Sequence, residues 1–92
     1  MSELDGEWDV RRTGGLLPPL IGVRKEIHGT HGKTLLPGGV GVPFDVIGLE
    51  LHYRTPFVGF VDIVAPHNGG FSGRATFRRR TFGRFELSPR EA

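Results

Sequence analysis

The chain has no cysteine, which excludes a disulfide framework and any thiolate metal site. It also has no long apolar run. No segment approaches the ~18 apolar residues of a membrane helix, and residues 1–9 are acidic, so no secretory leader is expected. No serine stands in a nucleophile-elbow context, and no glycine run follows a strand to open a helix. The usual signatures of acyl transfer and nucleotide binding are therefore missing. The expectation is a soluble, cytoplasmic chain with no cofactor, no metal and no membrane partner.

What is present is glycine, proline and phenylalanine. Fifteen Gly and seven Pro make 22 of 92 residues, near the level at which low-complexity disorder arises. The order of the residues argues against disorder, because apolar side chains recur with period two between the glycines. Seven Phe, one Trp and one Tyr supply the large apolar area that a small core needs. A chain of this length buries only about two-thirds of its unfolded surface, so any ligand cavity competes with the core for volume. Residues 1–92 are read as a single all-β domain.

Seven or eight strands follow from the alternation. Glu7–Thr13 places Trp8 and Val10 on one face and ends at Gly14-Gly15. Leu16-Leu17-Pro18-Pro19 cannot lie in a central strand and is apolar enough to form a lid. Leu20–His28 reads as a strand with Ile21, Val23 and Ile27 inward, followed by a short one at Lys33–Leu36. Phe44–Ile47 and Leu49–Arg54 follow, separated by Gly48; Phe57–Val64 is almost wholly apolar. After Pro66-His67-Asn68-Gly69-Gly70, the clearest turn, Phe71, Gly73, Ala75 and Phe77 point one way, and Gly83, Phe85 and Leu87 complete the core. Near eleven residues per strand and turn is the rhythm of an antiparallel meander, either an up-and-down barrel, closed or partly closed, or a two-sheet sandwich.

Charge is segregated. Glu3, Asp5, Glu7 and Asp9 crowd the first nine residues, whereas Arg74, Arg78, Arg79, Arg80, Arg84 and Arg90 occupy the last nineteen against Glu86 and Glu91. Barrel closure would set the acidic strand beside the basic one. The alternative is a basic tip, Arg78–Arg80, flanked by Phe77 and Phe82 and suited to a protein or nucleic-acid partner. Nucleic acid is the less favoured partner, because both Phe fit core positions.

Gly6-Glu7-Trp8 opens the first strand, and this Gly-x-Trp pattern resembles the opening motif of the lipocalins and the wider calycin group. The resemblance implies an antiparallel barrel in which the Trp closes one end and an Arg from the end of the last strand, here Arg84 or Arg90, packs over it. It also implies binding of a small ligand.

Polar residues interrupt the apolar faces at informative places. Lys25 is in register with Ile21, Val23 and Ile27; Arg12 continues the Trp8 and Val10 face; Asp62 shares a face with Val58, Phe60 and Val64. Lys25 or Arg12 facing Asp62 inside a barrel would form an ion pair or orient a ligand, unless the charges reach water at the strand ends. Glu50, His52 and Arg54 form a polar stripe beside Tyr53, either a solvated face or an acid–base set. His28 and His31 straddle a Gly turn rather than one helix face, a poor arrangement for zinc.

The favoured expectation is a calycin-like barrel binding a small apolar or amphipathic molecule. Its ligand site would comprise Phe44, Tyr53, Phe60, Phe71 and Phe77, with Arg12, Lys25 or Asp62 at a polar end. A homodimer could enlarge or share the cavity. The alternative is a small-metabolite isomerase, cyclase or lyase using His52, Glu50 and Tyr53 or Asp62.

Overall fold

A computed structural model describes residues 3–90, and among these the regular elements are all strands. They are β1 (Gly6–Gly15), β2 (Arg24–His28), β3 (His31–Leu35), β4 (Gly41–Ile47), β5 (Glu50–Tyr53), β6 (Phe60–His67), β7 (Gly70–Phe77) and β8 (Arg80–Pro89). Each pairs antiparallel with its neighbour in sequence, and β8 returns to β1, so the sheet closes as an up-and-down barrel. Closure removes both sheet edges, which decides for a barrel over a sandwich. None of the described residues forms a helix long and apolar enough to cross a membrane.

Alternation sorts the side chains as the period-two pattern requires. Lys25 and Ile27 of β2 with Val23 just before it, Phe44 and Val46 of β4, and Asp62 and Val64 of β6 are buried, whereas their neighbours in sequence are more exposed. An eight-stranded barrel is just wide enough to fill with side chains or to hold one small ligand. This one does both. One end is packed by Leu4, Trp8, Ile27, Phe71 and Leu87, with Phe44, Val46, Leu51 and Val64 completing the cluster. Trp8 closes that end: its indole meets Phe71 edge-on at 5.3 Å and its Nε1 donates to the Leu4 carbonyl at 2.8 Å.

Two glycines are dictated by close approach. A Cβ on Gly73 would stand 2.3 Å from Phe85 Cζ, so the Phe85 ring lies directly over the bare backbone of β7. A Cβ on Gly83 would stand 2.3 Å from Leu17 Cγ, so the β1–β2 connection docks on β8 only because position 83 has no side chain.

The boundaries differ from expectation where the backbone breaks period two. Gly22 adopts φ 78° and ends the β1–β2 loop, so β2 starts at Arg24 and Ile21 is 85% exposed rather than inward. The sixth strand starts at Phe60, not Phe57, leaving Phe57 and Val58 on an exposed loop. A register shift between Ala75 and Thr76 buries both consecutive residues and turns Phe77 outward. Arg12 pairs with inward Phe85 just before a second shift, between Arg12 and Gly14. Its exposed guanidinium donates to the Gly15 and Leu17 carbonyls at 2.6 and 2.7 Å, bracing the lid.

The β1–β8 pairing confirms the expected meeting of acidic and basic strands, with Arg11 paired to Glu86 and Arg90 Nη1 3.7 Å from Asp9. Neither Arg84 nor Arg90 stacks on Trp8: among the described residues, the ring contact of Trp8 is with Phe71. The barrel expected from the resemblance is present; its Arg–Trp lock is not.

Candidate functional site

The unpacked end of the barrel holds a cavity of about 360 Å³, at the lower end of the usual range for small-molecule sites, roughly 300–1,000 Å³. Val10, Val23, Val42, Ala75 and Phe85 form its walls, and Leu17, Leu20, Leu36, Phe57, Phe60 and Phe82 surround its mouth. The polar side chains in the lining are Lys25, Thr34, Tyr53 and Asp62. They converge where the cavity meets the packed end.

Four strands bring these four groups together. Lys25 (β2), Thr34 (β3), Tyr53 (β5) and Asp62 (β6) are all inward positions of their strands, and Lys25 and Thr34 are direct register partners. The Lys25 ammonium donates to Thr34 Oγ1 at 2.6 Å and Tyr53 OH at 2.8 Å, and its Nζ lies 3.1 Å from Asp62 Oδ2. Tyr53 OH donates to Asp62 Oδ2 at 2.8 Å, and the Thr34 and Tyr53 hydroxyls are 2.8 Å apart. One assignment uses every donor. Lys25 donates three times, Thr34 donates to Tyr53, and Tyr53 donates to Asp62. Lys25 Nζ also stands 5.4–5.6 Å from the ring centroids of Phe44, Tyr53 and Phe85, within cation–π reach.

Protonation is set by the same contacts. Burial works to lower the Lys25 pKa, but the attraction and hydrogen bonds of Tyr53 and Asp62 outweigh it, and the net shift is upward from 10.5. Because Tyr53 attracts Lys25 as a charge only when ionised, Asp62 is the charge that holds the ammonium at neutral pH. Burial raises the Tyr53 pKa above 10.0; the charge of Asp62 adds to this while Lys25 and Thr34 oppose it. Tyr53 is thus a neutral phenol and Lys25 a cation across the physiological range. A phenol pushed upward is poorly placed to act as a base near neutrality.

Asp62 keeps one open valence. Oδ2 carries the contacts to Lys25 and Tyr53, whereas Oδ1 makes none, and the described residues hold no sealed side-chain polar atom without a hydrogen-bond partner. Oδ1 is therefore reachable from the cavity that Asp62 lines. It is an acceptor awaiting a donor.

The expected ligand residues divide. Lys25, Tyr53, Phe60 and Asp62 line the cavity. Phe44 lies beneath the network with Lys25 over its ring, and Phe71 belongs to the packed end. Phe77 lies outside, 39% exposed, its ring 4.6 Å from Phe60, and Arg12 lies outside beside the lid. Glu50 and His52 alternate with buried Leu51 and face outward, His52 Nε2 meeting Glu50 Oε1 at 2.8 Å. They are not in the cavity lining, so the acid–base set expected around His52 is not assembled there. Arg54 pairs with Asp45 at 2.6 Å on the same outer surface.

Thr34 went unnoticed in the sequence, although its alternation with Lys33 and Leu35 marks it as inward. Phe82 and Phe85, core positions by alternation, also line the cavity: Phe85 belongs to the buried cluster and Phe82 packs against it. Among the described residues no three His, Asp or Glu side chains cluster as a metal would need.

The class defined by this geometry is a small, closed, up-and-down antiparallel barrel with a one-ended apolar cavity over a buried polar network. No family model, no curated protein and no solved structure matches the chain.

Proposed function

We propose that the barrel binds one small amphipathic molecule, its apolar body between the walls and a hydrogen-bond-donating end on Asp62 Oδ1. The observation that carries this reading is the charged network at the base of an otherwise apolar cavity. Taking an ion pair out of water costs several kcal/mol per ion, and apolar residues of similar volume usually stabilise a fold as well or better. A chain of 92 residues also has little interior to leave unfilled. Both departures from best packing coincide in one place, as a recognition site requires.

The network favours binding over catalysis. Its donors are all engaged and Tyr53 is held as a phenol, so a neutral donor such as a hydroxyl or amide meets the one open acceptor, Asp62 Oδ1. A carboxylate ligand would meet Asp62 first and be repelled.

The experiment is titration with a fluorescent apolar probe, followed by displacement with matched amphiphiles ending in hydroxyl, amide or carboxylate. Saturable 1:1 binding with hydroxyl or amide preferred over carboxylate is the expected result. No saturable binding by any member of the series would refute the reading.

A further inference from the structure

The four connections at the cavity mouth share a composition found nowhere else in the chain. In an up-and-down barrel the β1–β2, β3–β4, β5–β6 and β7–β8 connections lie at one end. Here that is the cavity end, since Leu17, Leu20, Leu36 and Phe57 come from them. Residues 12–23, 35–42, 53–61 and 76–84, which contain these connections, include six arginines and not one Asp or Glu. They also hold most of the large exposed apolar side chains: Leu16 (86%), Ile21 (85%), Val58 (67%) and Val40 (60%) lead, and Ile47, on the opposite end, stands apart. The acidic residues of the strands and of the chain start lie lower on the barrel or at the other end, Asp62 being inside it.

Two of the six arginines are engaged, Arg12 with the lid carbonyls and Arg54 with Asp45. Arg78, Arg79 and Arg80 have no ion-pair partner among the described residues. Arg78 is anchored within the fold: its N–H donates to the Gly59 carbonyl at 3.0 Å, and its guanidinium lies 5.4 Å from the Phe77 ring centroid. Arg78 and Arg79 both adopt positive φ, 49° and 71°, where Asn and Gly are strongly preferred. A strained turn built from two arginines points to a use for their charge.

We infer that the mouth of the barrel docks on the surface of an anionic phospholipid bilayer, with Ile21 and Val58 entering the interface and Arg78–Arg80 meeting lipid phosphates. Surface binding by shallow apolar insertion together with a basic cluster needs both signals, and this rim carries both. Charge complementarity separates this occupant from the others. A second copy would set two arginine clusters against each other, and a nucleic acid would find mostly aliphatic side chains where stacking needs aromatic ones. This departs from the expectation of no membrane partner, which rested on the lack of a long apolar run and does not bear on docking at the surface. The inference rests on the cavity reading only in that the mouth is where a ligand would cross.

The test is co-sedimentation of the full chain with vesicles of phosphatidylcholine alone and of phosphatidylcholine with phosphatidylserine at about 7:3, a surface of the anionic kind described. Binding to the mixed vesicles only, weakened by added salt, is expected. Arg78→Asn, Arg79→Gly and Arg80→Thr together should weaken it on the order of 100-fold, the product of three arginines at roughly fivefold each. Ile21→Ser with Val58→Ser should weaken it as well, both residues being exposed and outside the barrel core. No binding to anionic vesicles, equal binding to both compositions, or undiminished binding by the arginine variant would overturn the inference. So would a dimer in sedimentation equilibrium that Ile21→Ser dissolves, because the rim would then meet a second copy. Probe titration without vesicles separates the two readings: saturable binding without docking overturns this one alone, and docking without saturable binding overturns the cavity reading alone.

Discussion

Lys25 Nζ lies 3.1 Å from Asp62 Oδ2, with the Lys25 side chain 4% and the Asp62 side chain 10% exposed. The pair joins β2 to β6 across the barrel interior, and Thr34 and Tyr53 take the remaining donors. Removing one member strands the other charge in a nearly dry interior. Asp62→Leu alone, or Lys25→Met alone, is expected to cost about 3–5 kcal/mol. The double substitution should recover most of that loss, because two apolar side chains of similar volume need no partner. Urea unfolding of the four proteins closes the cycle; equal additive losses would mean that the two charges do not stabilise one another.

The network should also set the alkaline limit of stability. Native Lys25 and Tyr53 both hold their protons above their ordinary pKa values of 10.5 and 10.0. Above about pH 10 the unfolded chain therefore binds fewer protons than the native one, and stability falls as pH rises. Through neutrality neither group contributes a slope. The chain has one tyrosine and, besides Lys25, only Lys33 as a second lysine, so few other groups titrate there. Spectrophotometric titration of the phenolate should place native Tyr53 above 10.0, and Lys25→Met with Tyr53→Phe should flatten the alkaline decline in urea midpoint. A native Tyr53 ionising below its ordinary value would refute the assigned network.

Most of the barrel was legible because alternation survives wherever a strand is unbroken. Lys25, Tyr53 and Asp62 lie on strands without bulges, so counting by twos from Ile27, Leu51 and Val64 places them inside. Phe77 follows a register shift, and Ile21 precedes a glycine at positive φ. Each interruption reverses the face without leaving a signal in residue type, since a bulge is a property of the pairing rather than of the residue. Arg12 keeps its register with inward Phe85, but at the barrel's mouth its long side chain reaches the lid carbonyls. Gly38-Gly39 and Asn68-Gly69 mark connections, whereas Gly14-Gly15 ends β1 and the β7–β8 turn is Arg78-Arg79; no residue type tells which inward positions are packed and which are left open. That depends on ring placement: Phe44 and Phe71 fill one end, while Phe60, Phe82 and Phe85 stand around a space.

The β7–β8 turn offers a separation of stability from function. Arg78 and Arg79 occupy a two-residue hairpin turn with φ positive at both positions, an arrangement that Asn-Gly meets without strain. Replacing them as Arg78→Asn and Arg79→Gly should stabilise the fold by about 1–2 kcal/mol. At about 4–8 °C per kcal/mol for a domain of this size, the gain is readable in a thermal melt. Vesicle binding should fall in the same protein. A variant no more stable than the parent would show that the turn is not strained, and the charge argument would then stand on rim composition alone.

Ala75 gives the cleanest handle on the cavity itself. It is 5% exposed on β7, belongs to the edge of the core cluster, and lines the cavity wall. Ala75→Leu adds three carbons to that space. If they fill it, each buried methylene adds about 0.8 kcal/mol, for a gain of about 1–2 kcal/mol after side-chain ordering. Probe binding should disappear with the volume. The two effects have opposite signs, which distinguishes occupation of a real site from damage to the fold. In a solid core the same substitution would cost about 1–3 kcal/mol through overpacking. A destabilised Ala75→Leu variant that still binds probe would therefore place the binding elsewhere, and the polar network would have to be explained as structure alone.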